Sequence, residues 1–292
     1  MKTIIFTLKK KHPVAESLSK LSNFERGELE FRHFPDGESY LRIKTNVKNK
    51  KVIIIESLDY PDEKTLSLIF FAETARELGA KEVGLVAPYL GYMRQDKRFN
   101  DGEAITSRIF ASLISKHFDW LVTIDPHLHR YKKMKEIYKI PAHALHVAPL
   151  ISDWIKNNIK KPVLIGPDEE SRQWVSQVAD LADAPFIVLN KIRIGDRNVK
   201  VTAPGMESYK QHQPVLIDDI ISTARTMIET IKHLKKLKTK PPICIGVHAI
   251  FTDNAFKDLK KSGAKNIITC NTVPHTSNKI DTTPLILKAI NI

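Results

Sequence analysis

Two adjacent acids, Asp218 and Asp219, close a short apolar run of Val215, Leu216 and Ile217, and a hydroxyl-rich segment of Ser222, Thr223, Ala224, Arg225 and Thr226 follows them. An apolar-periodic stretch over residues 227–237 comes next, so residues 214–227 (PVLIDDIISTARTM) predict strand, loop and helix. Hydroxyls and backbone N–H groups gathered at a helix start suit a phosphate, because the dipole and the orphan donors both favour an anion there. Two carboxylates beside such a pocket would repel a bare anion; they suit sugar hydroxyls, met directly or through Mg²⁺. A ribose 5-phosphate has both parts.

Other stretches carry complementary chemistry. In residues 28–43 (ELEFRHFPDGESYLRI) two extended segments flank a PDG turn, which puts Phe34, Asp36, Gly37 and Glu38 at a loop tip. A ring there can lie against a purine, with carboxylates near its exocyclic amine or a ribose. Residues 88–105 (PYLGYMRQDKRFNDGEAI) follow a strand, at the end where parallel sheets bind ligands. Arg94, Lys97 and Arg98 suit a polyphosphate through charge-assisted contacts, and Gln95 suits a base edge or ribose. Asp125 and His127 end another strand, where an acid and an imidazole can hold a divalent ion; His129 has no such warrant, and the two histidines alone do not make a zinc site. Lys191 and Arg193 lie two apart in an alternating segment, residues 190–202, and so share one face of a ribbon turning near Gly195 and Asp196.

The elements that must position these residues come in two similar series. In the first half, strands are expected at 3–8, 51–56, 82–88 and 120–124, with helices at 13–21, 65–78 and 105–117; Pro13 opens the first helix and Gly79 closes the second. In the second half, helices at 149–157, 171–181, 226–237, 254–261 and 281–290 alternate with strands at 163–166, 185–189, 215–217, 243–251 and 266–270. This repetition predicts two similar α/β domains, residues 1–145 and 146–292, each a mainly parallel sheet flanked by helices, joined near 141–149. The copies differ where it matters: residues 56–61 (ESLDYP) lack the paired acids and the small phosphate turn, so only the second keeps the sugar-phosphate pocket. The polar segment 272–283 is assigned no chemistry.

A chain of 292 residues with 42% hydrophobic content suits two domains with ordinary cores. Its apolar runs are too short for a membrane span, and its opening segment is too short for a signal peptide, which predicts a cytoplasmic protein. Cys244 and Cys270 sit in strand-like runs and read as buried thiols. With 46 basic and 33 acidic residues the net charge is +13, which favours anionic partners such as nucleotides and sugar phosphates. No nucleic-acid-binding pattern accompanies it. The lysine clusters at 9–11, 48–51, 132–135 and 235–240 read as solvated faces.

Taken together and in order, these motifs resemble those of the ribose-phosphate pyrophosphokinases (PRPP synthetases), which share the type I phosphoribosyltransferase-like fold. The resemblance covers essentially the whole chain and implies transfer of the pyrophosphoryl group of ATP to ribose 5-phosphate, giving PRPP and AMP. It places Phe34, Asp36, Gly37 and Glu38 in one ATP loop, and Arg94, Gln95, Asp96 and Arg98 in a second. It carries Asp125, His127 and Asp168 over as Mg²⁺ ligands, with Glu169 a weaker choice than Asp168. It makes Lys191 and Arg193 the start of a mobile catalytic loop, and gives Arg193, Asp218, Asp219, Ser222, Thr223, Ala224, Arg225 and Thr226 to ribose 5-phosphate. It also implies a homo-oligomer whose ATP pocket borrows from a neighbouring subunit. One departure stands out, since family members often carry a small residue, commonly Gly, where Arg225 stands. A PRPP-consuming phosphoribosyltransferase would need one such domain and no ATP loops, and a non-catalytic relative should have lost part of the Lys-x-Arg pair or the sugar-loop acids.

Overall fold

A computed structural model of the chain describes residues 1–9, 11–128, 130–194, 198–202 and 205–290, leaving aside the side chains of 170, 190–194 and 198–202. The first half runs β1 (Thr3–Phe6), α1 (Pro13–Leu21), β2 (Glu25–Arg26), β3 (Leu29–His33), β4 (Ser39–Ile43), β5 (Lys51–Ile55), α2 (Asp62–Glu77), β6 (Glu82–Ala87), α3 (Thr106–His117), β7 (Trp120–Ile124) and β8 (Ala142–Leu145). The second runs α4 (Ala148–Asn158), β9 (Pro162–Gly166), α5 (Arg172–Ala182), β10 (Phe186–Val188), β11 (Asn190–Ile194), β12 (Asn198–Thr202), β13 (Gln213–Ile221), α6 (Arg225–Lys236), β14 (Ile243–Ala249), α7 (Ala255–Lys261), β15 (Asn266–Cys270), β16 (Asn278–Ile280) and α8 (Thr283–Ile290). No helix among the described residues is long and apolar enough to cross a membrane.

Each half builds a six-stranded sheet, in the orders β2-β1-β5-β6-β7-β8 and β10-β9-β13-β14-β15-β16, and every ladder in both is parallel. The two orders are the same topology written twice. Each copy also inserts an antiparallel ribbon, β3–β4 in the first and β11–β12 in the second, between its second and third sheet strands. Helices on both faces explain the unbroken apolar runs: Val52, Ile53, Ile54 and Ile55 are all fully buried, as a central parallel strand requires. One core gathers Phe6, Phe71, Leu85 and Phe110; the other gathers Ile165, Met227, Ile231 and Cys244.

The compact units are Met1–Leu145 with Thr272–Pro274 and Thr282–Ile292, and His146–Asn271 with His275–Asp281. The long continuous part of the first unit ends at Leu145, and the end of the chain, from Thr282, belongs with the first unit. The reason is apolar burial. Ile286 and Ile290 of α8, one turn apart, are buried where that helix packs on α1, β7 and β8, and Lys51 Nζ donates to the Ile290 carbonyl (3.4 Å). Helix α4 does the equivalent for the second unit, burying Ile151 and Ile155 against α5, with Ser152 Oγ donating to the Val178 carbonyl (3.0 Å). The repeats have exchanged their last helices. Strands β8 and β16 lie where a junction and an unassigned polar segment were expected; both are short edge strands without a long apolar run.

Candidate active site

In the second unit the strand does not stop at the acids. Asp218 is paired opposite Gly246 of β14, and β13 continues through Asp219 to Ile221. The Asp219 N–H donates to Asp218 Oδ1 (3.0 Å) and the Ile220 N–H to Asp219 Oδ1 (2.8 Å), so both carboxylates fold back along their own backbone. Burial first, then the charge of Asp219 and a hydrogen bond with it, then the charge of Asp168, push the Asp218 carboxyl well above the ordinary carboxylate range. A cation or a hydroxyl donor would relieve this crowding. Asp168 follows β9, and its Oδ1 accepts the Ser171 N–H (3.1 Å), capping the turn that leads into α5. Among the described residues no three acid, Cys or His side chains converge as a ready-made metal cage.

Beyond the acids, Ala224 takes the left-handed conformation (φ 56°, ψ 8°), and α6 starts at Arg225 with no side-chain cap. An alanine there costs roughly 1–2 kcal/mol relative to right-handed backbone, and the uncapped start leaves N–H groups turned toward any anion in the loop. The loop is pinned from outside by the Phe251 N–H donating to the Ile221 carbonyl (2.9 Å) and the Thr252 N–H to the Ser222 carbonyl (3.2 Å), while the Ile228 N–H to the Ala224 carbonyl (2.9 Å) is the first helical bond of α6. Ser222 and Thr226 are half-buried, while Thr223 and Arg225 are exposed. The expected ribbon is present as β11–β12, with Lys191 opposite Val201 and Arg193 opposite Val199. The side chains of Lys191 and Arg193 lie outside the described residues.

In the first unit the tip of the β3–β4 hairpin is closed by the Gly37 N–H to the Phe34 carbonyl (2.9 Å) and the Phe34 N–H to the Glu38 carbonyl (2.8 Å). Gly37 sits at φ 94°, which few other residues tolerate. Asp36 Oδ1 accepts the Glu38 N–H (3.3 Å), and Phe34 is 40% exposed. The sequence reading missed Arg32, whose guanidinium lies 4.7 Å from the Phe34 ring and 4.2 Å from that of Tyr40, holding the phenyl ring on edge to the tyrosine. Strand alternation was the available signal, because it puts Arg32 and Phe34 on one face with Tyr40 across the ladder from Arg32.

The loop after β6 presents Arg94 and Arg98 to solvent, with Gln95 half-buried. Arg98 Nε donates to the Glu103 carbonyl (2.9 Å), and the Glu103 carboxylate is held below its ordinary range by Asn100 and the Phe99 N–H. Asp96 behaves differently from its neighbours: it is buried and ion-paired to Arg130 (3.4 Å), so its carboxylate faces the protein. Asp125 takes positive φ (33°) at the end of β7, with His127 two residues on in the same connection.

Where the second unit has its acid pair, the first has Glu56 and Ser57 at the end of β5. Lys64 fills that place. Its ammonium lies 3.4 Å from Glu56 and donates to Asp59 (2.7 Å) and to the Ser57 carbonyl (2.6 Å). His12 Nε2 lies 3.4 Å from Ser57 Oγ; burial, with Lys64 nearby, lowers its pKa to about 4 and keeps the ring neutral. The first copy of the pocket is therefore closed by its own cation. Cys244 and Cys270 are buried and form no disulfide, and burial pushes the Cys244 thiol up to about 12, which keeps it from acting as a nucleophile.

Two copies of one parallel α/β topology, only one keeping acids beside an uncapped hydroxyl-rich helix start, define a protein of the phosphoribosyltransferase-fold class, and residues 133–285 match the phosphoribosyl transferase domain. Residues 3–117 match the N-terminal domain of ribose phosphate pyrophosphokinase. The chain belongs to the ribose-phosphate pyrophosphokinase family. It is 33% identical to the ribose-phosphate pyrophosphokinase of Saccharolobus solfataricus, covering 89% of each chain. It is 34% identical to that of Methanosarcina mazei, over 90% of this chain and 86% of the relative. The crystal structure of phosphoribosylpyrophosphate synthetase from Mycobacterium smegmatis superimposes with a TM-score of 0.85 at 22% identity, covering 100% of this chain and 98% of the other, which shows the same fold.

Proposed function

We propose that this chain transfers the pyrophosphoryl group of ATP to the anomeric hydroxyl of ribose 5-phosphate. The hydroxyl oxygen attacks the β-phosphorus, the bond to the α-phosphate oxygen breaks, and AMP leaves while PRPP forms. The observation that carries this reading is the acid pair set beside the uncapped start of α6, in a chain that also holds the Phe34 hairpin and the arginine loop. Asp218 and Asp219 accept from ribose hydroxyls, and the 222–226 loop cradles the 5-phosphate through N–H groups and hydroxyls. Phe34 stacks on adenine, with Asp36, Gly37 and Glu38 at its rim; Arg94, Gln95 and Arg98 hold the nucleotide's phosphates and ribose. Lys191 and Arg193 bring positive charge to the β- and γ-phosphates as the transition state forms.

The carboxylates of Asp125 and Asp168 suit Mg²⁺; Asp125, with the His127 imidazole, would hold it at the ATP loops and Asp168 at the sugar loop. When bound, the ion supplies charge neutralisation across the phosphates. The reaction otherwise needs alignment more than covalent help. Exposed Leu66 and Phe70 on α2 and Ile109 on α3 support assembly into a homo-oligomer, which would cover them. Incubation with ATP, Mg²⁺ and ribose 5-phosphate tests the reading by nucleotide analysis. Sugar-dependent AMP is expected; ADP would indicate an ordinary kinase, and no turnover a non-catalytic relative.

A further inference from the structure

Asp96 stands between two exposed cations in the stretch that the proposed reading gives to ATP, yet its side chain is only 6% exposed. A carboxylate aimed at a triphosphate would repel it, and a buried one cannot reach it. Instead Asp96 Oδ1 lies 3.4 Å from Nε of Arg130, whose side chain is 49% exposed. The Asp96 carbonyl accepts the Tyr131 hydroxyl (3.3 Å), and Arg108 Nε of α3 donates to that hydroxyl oxygen (3.0 Å). These contacts tie the connection after β6 to the connection after β7. The two strands are hydrogen-bonded neighbours, so both connections leave the same end of the sheet about 5 Å apart at their roots.

Resting on the proposed function, we infer that Arg130 is a further polyphosphate-binding residue and that Asp96 is its positioning residue. The ion pair engages Nε, which leaves the Nη pair of a planar fork for phosphate oxygens. A guanidinium held at one edge also loses less freedom on binding than a mobile one. Asp125 and His127 belong to the same connection as Arg130, and Arg94 and Arg98 flank Asp96, so the pair gathers three arginines on two neighbouring loops.

The test is equilibrium binding of ATP and of inorganic tripolyphosphate to the full chain, in Arg130→Gln, Asp96→Asn and the double variant, with thermal melts alongside. Arg130→Gln should weaken both ligands roughly 10-fold or more, the loss of one charge-assisted contact, and leave the KM for ribose 5-phosphate unchanged. Asp96→Asn should weaken them less, and its effect should vanish in the Arg130→Gln background, because a positioning residue has nothing left to position. Unchanged binding in Arg130→Gln with normal melting overturns the inference. So does an Asp96→Asn effect that persists undiminished in the double variant, which would mean direct contact. If Arg130→Gln does not fold, Arg130→Lys carries the test: retained charge without the fork should still weaken both ligands, and wild-type affinity would overturn the claim. Tripolyphosphate binding needs neither sugar nor turnover, so loss of it in Arg130→Gln supports the inference even where the wild-type chain makes no AMP.

Discussion

Lys64→Met is the most demanding perturbation of the first unit. The ammonium is 9% exposed and compensates Glu56, at 3% exposed, and Asp59, at 19%. Removing it strands a buried carboxylate, which costs about 3–5 kcal/mol when one partner of a buried pair is deleted. At about 2–4 °C per kcal/mol for a protein of this size, the melting temperature should fall by roughly 6–20 °C near pH 7.5. The pH dependence has a definite sign. Burial already raises the Glu56 carboxyl above its ordinary value, and the Lys64 charge only partly offsets this. A carboxyl with a raised folded pKa contributes stability in its protonated form, below that pKa, and loses it as pH rises through the shifted value. Without Lys64 the shift grows, at about 1.36 kcal/mol for each further unit. The deficit of Lys64→Met relative to wild type should therefore be smallest at acid pH, where Glu56 is protonated with or without Lys64, and should grow toward alkaline pH. Circular-dichroism melts across that range measure it, and Glu56→Gln in the same background should recover most of the loss. A deficit below about 1 kcal/mol, or one independent of pH, would refute the assignment of Lys64 as the cation that closes this pocket.

Three further outcomes are expected at the site. Replacing Asp218 and Asp219 together by Asn should weaken ribose 5-phosphate far more than ATP in steady-state kinetics, whereas equal losses would remove the pair from the sugar. Phe34→Ala should weaken ATP by roughly 1–3 kcal/mol through lost stacking, read as a raised KM; an unchanged KM would take Phe34 out of the base pocket. Lys191→Ala should lower kcat and kcat/KM together by on the order of 10²-fold with ATP binding nearly unchanged, since a contact made mainly in the transition state behaves so. Near-normal single-turnover rates would instead make residues 190–202 an ordinary basic hairpin.

Periodicity carried most of the architecture. The buried runs at 51–55 and 243–249 and the helix starting at Pro13 are where their patterns placed them, because parallel strands sheltered on both faces must be uniformly apolar. What failed to show were elements defined by their neighbours. Strands β8 and β16 earn their places at sheet edges by pairing, and residues such as His143 and Lys279 give them no strand signature. The acids were read as a strand's end, yet β13 extends through them because its ladder with β14 continues to Ile221. Residue type alone marked out the Asp218–Asp219 pair and its hydroxyl loop as candidates for a ligand, and the fold sets that pair ahead of the uncapped start of α6. Chemistry was not legible where a charge served the protein: Lys64 and Asp96 look like surface residues in sequence, and only tertiary packing turns them inward.

The exchange of last helices has a bearing on how the polypeptide matures during synthesis. Domains ordinarily fold in the order in which they leave the ribosome. Here the earlier-made unit must wait, because the helix that covers part of its sheet, α8, is translated only after the whole of the second sheet. At about 5–20 residues per second that interval is on the order of ten seconds. During it, the side of the first unit that receives Ile286 and Ile290 is bare, whereas the closing helix of the second unit, α4, is already made. The later half is thus the first able to finish, and emergence of α8 completes the first unit.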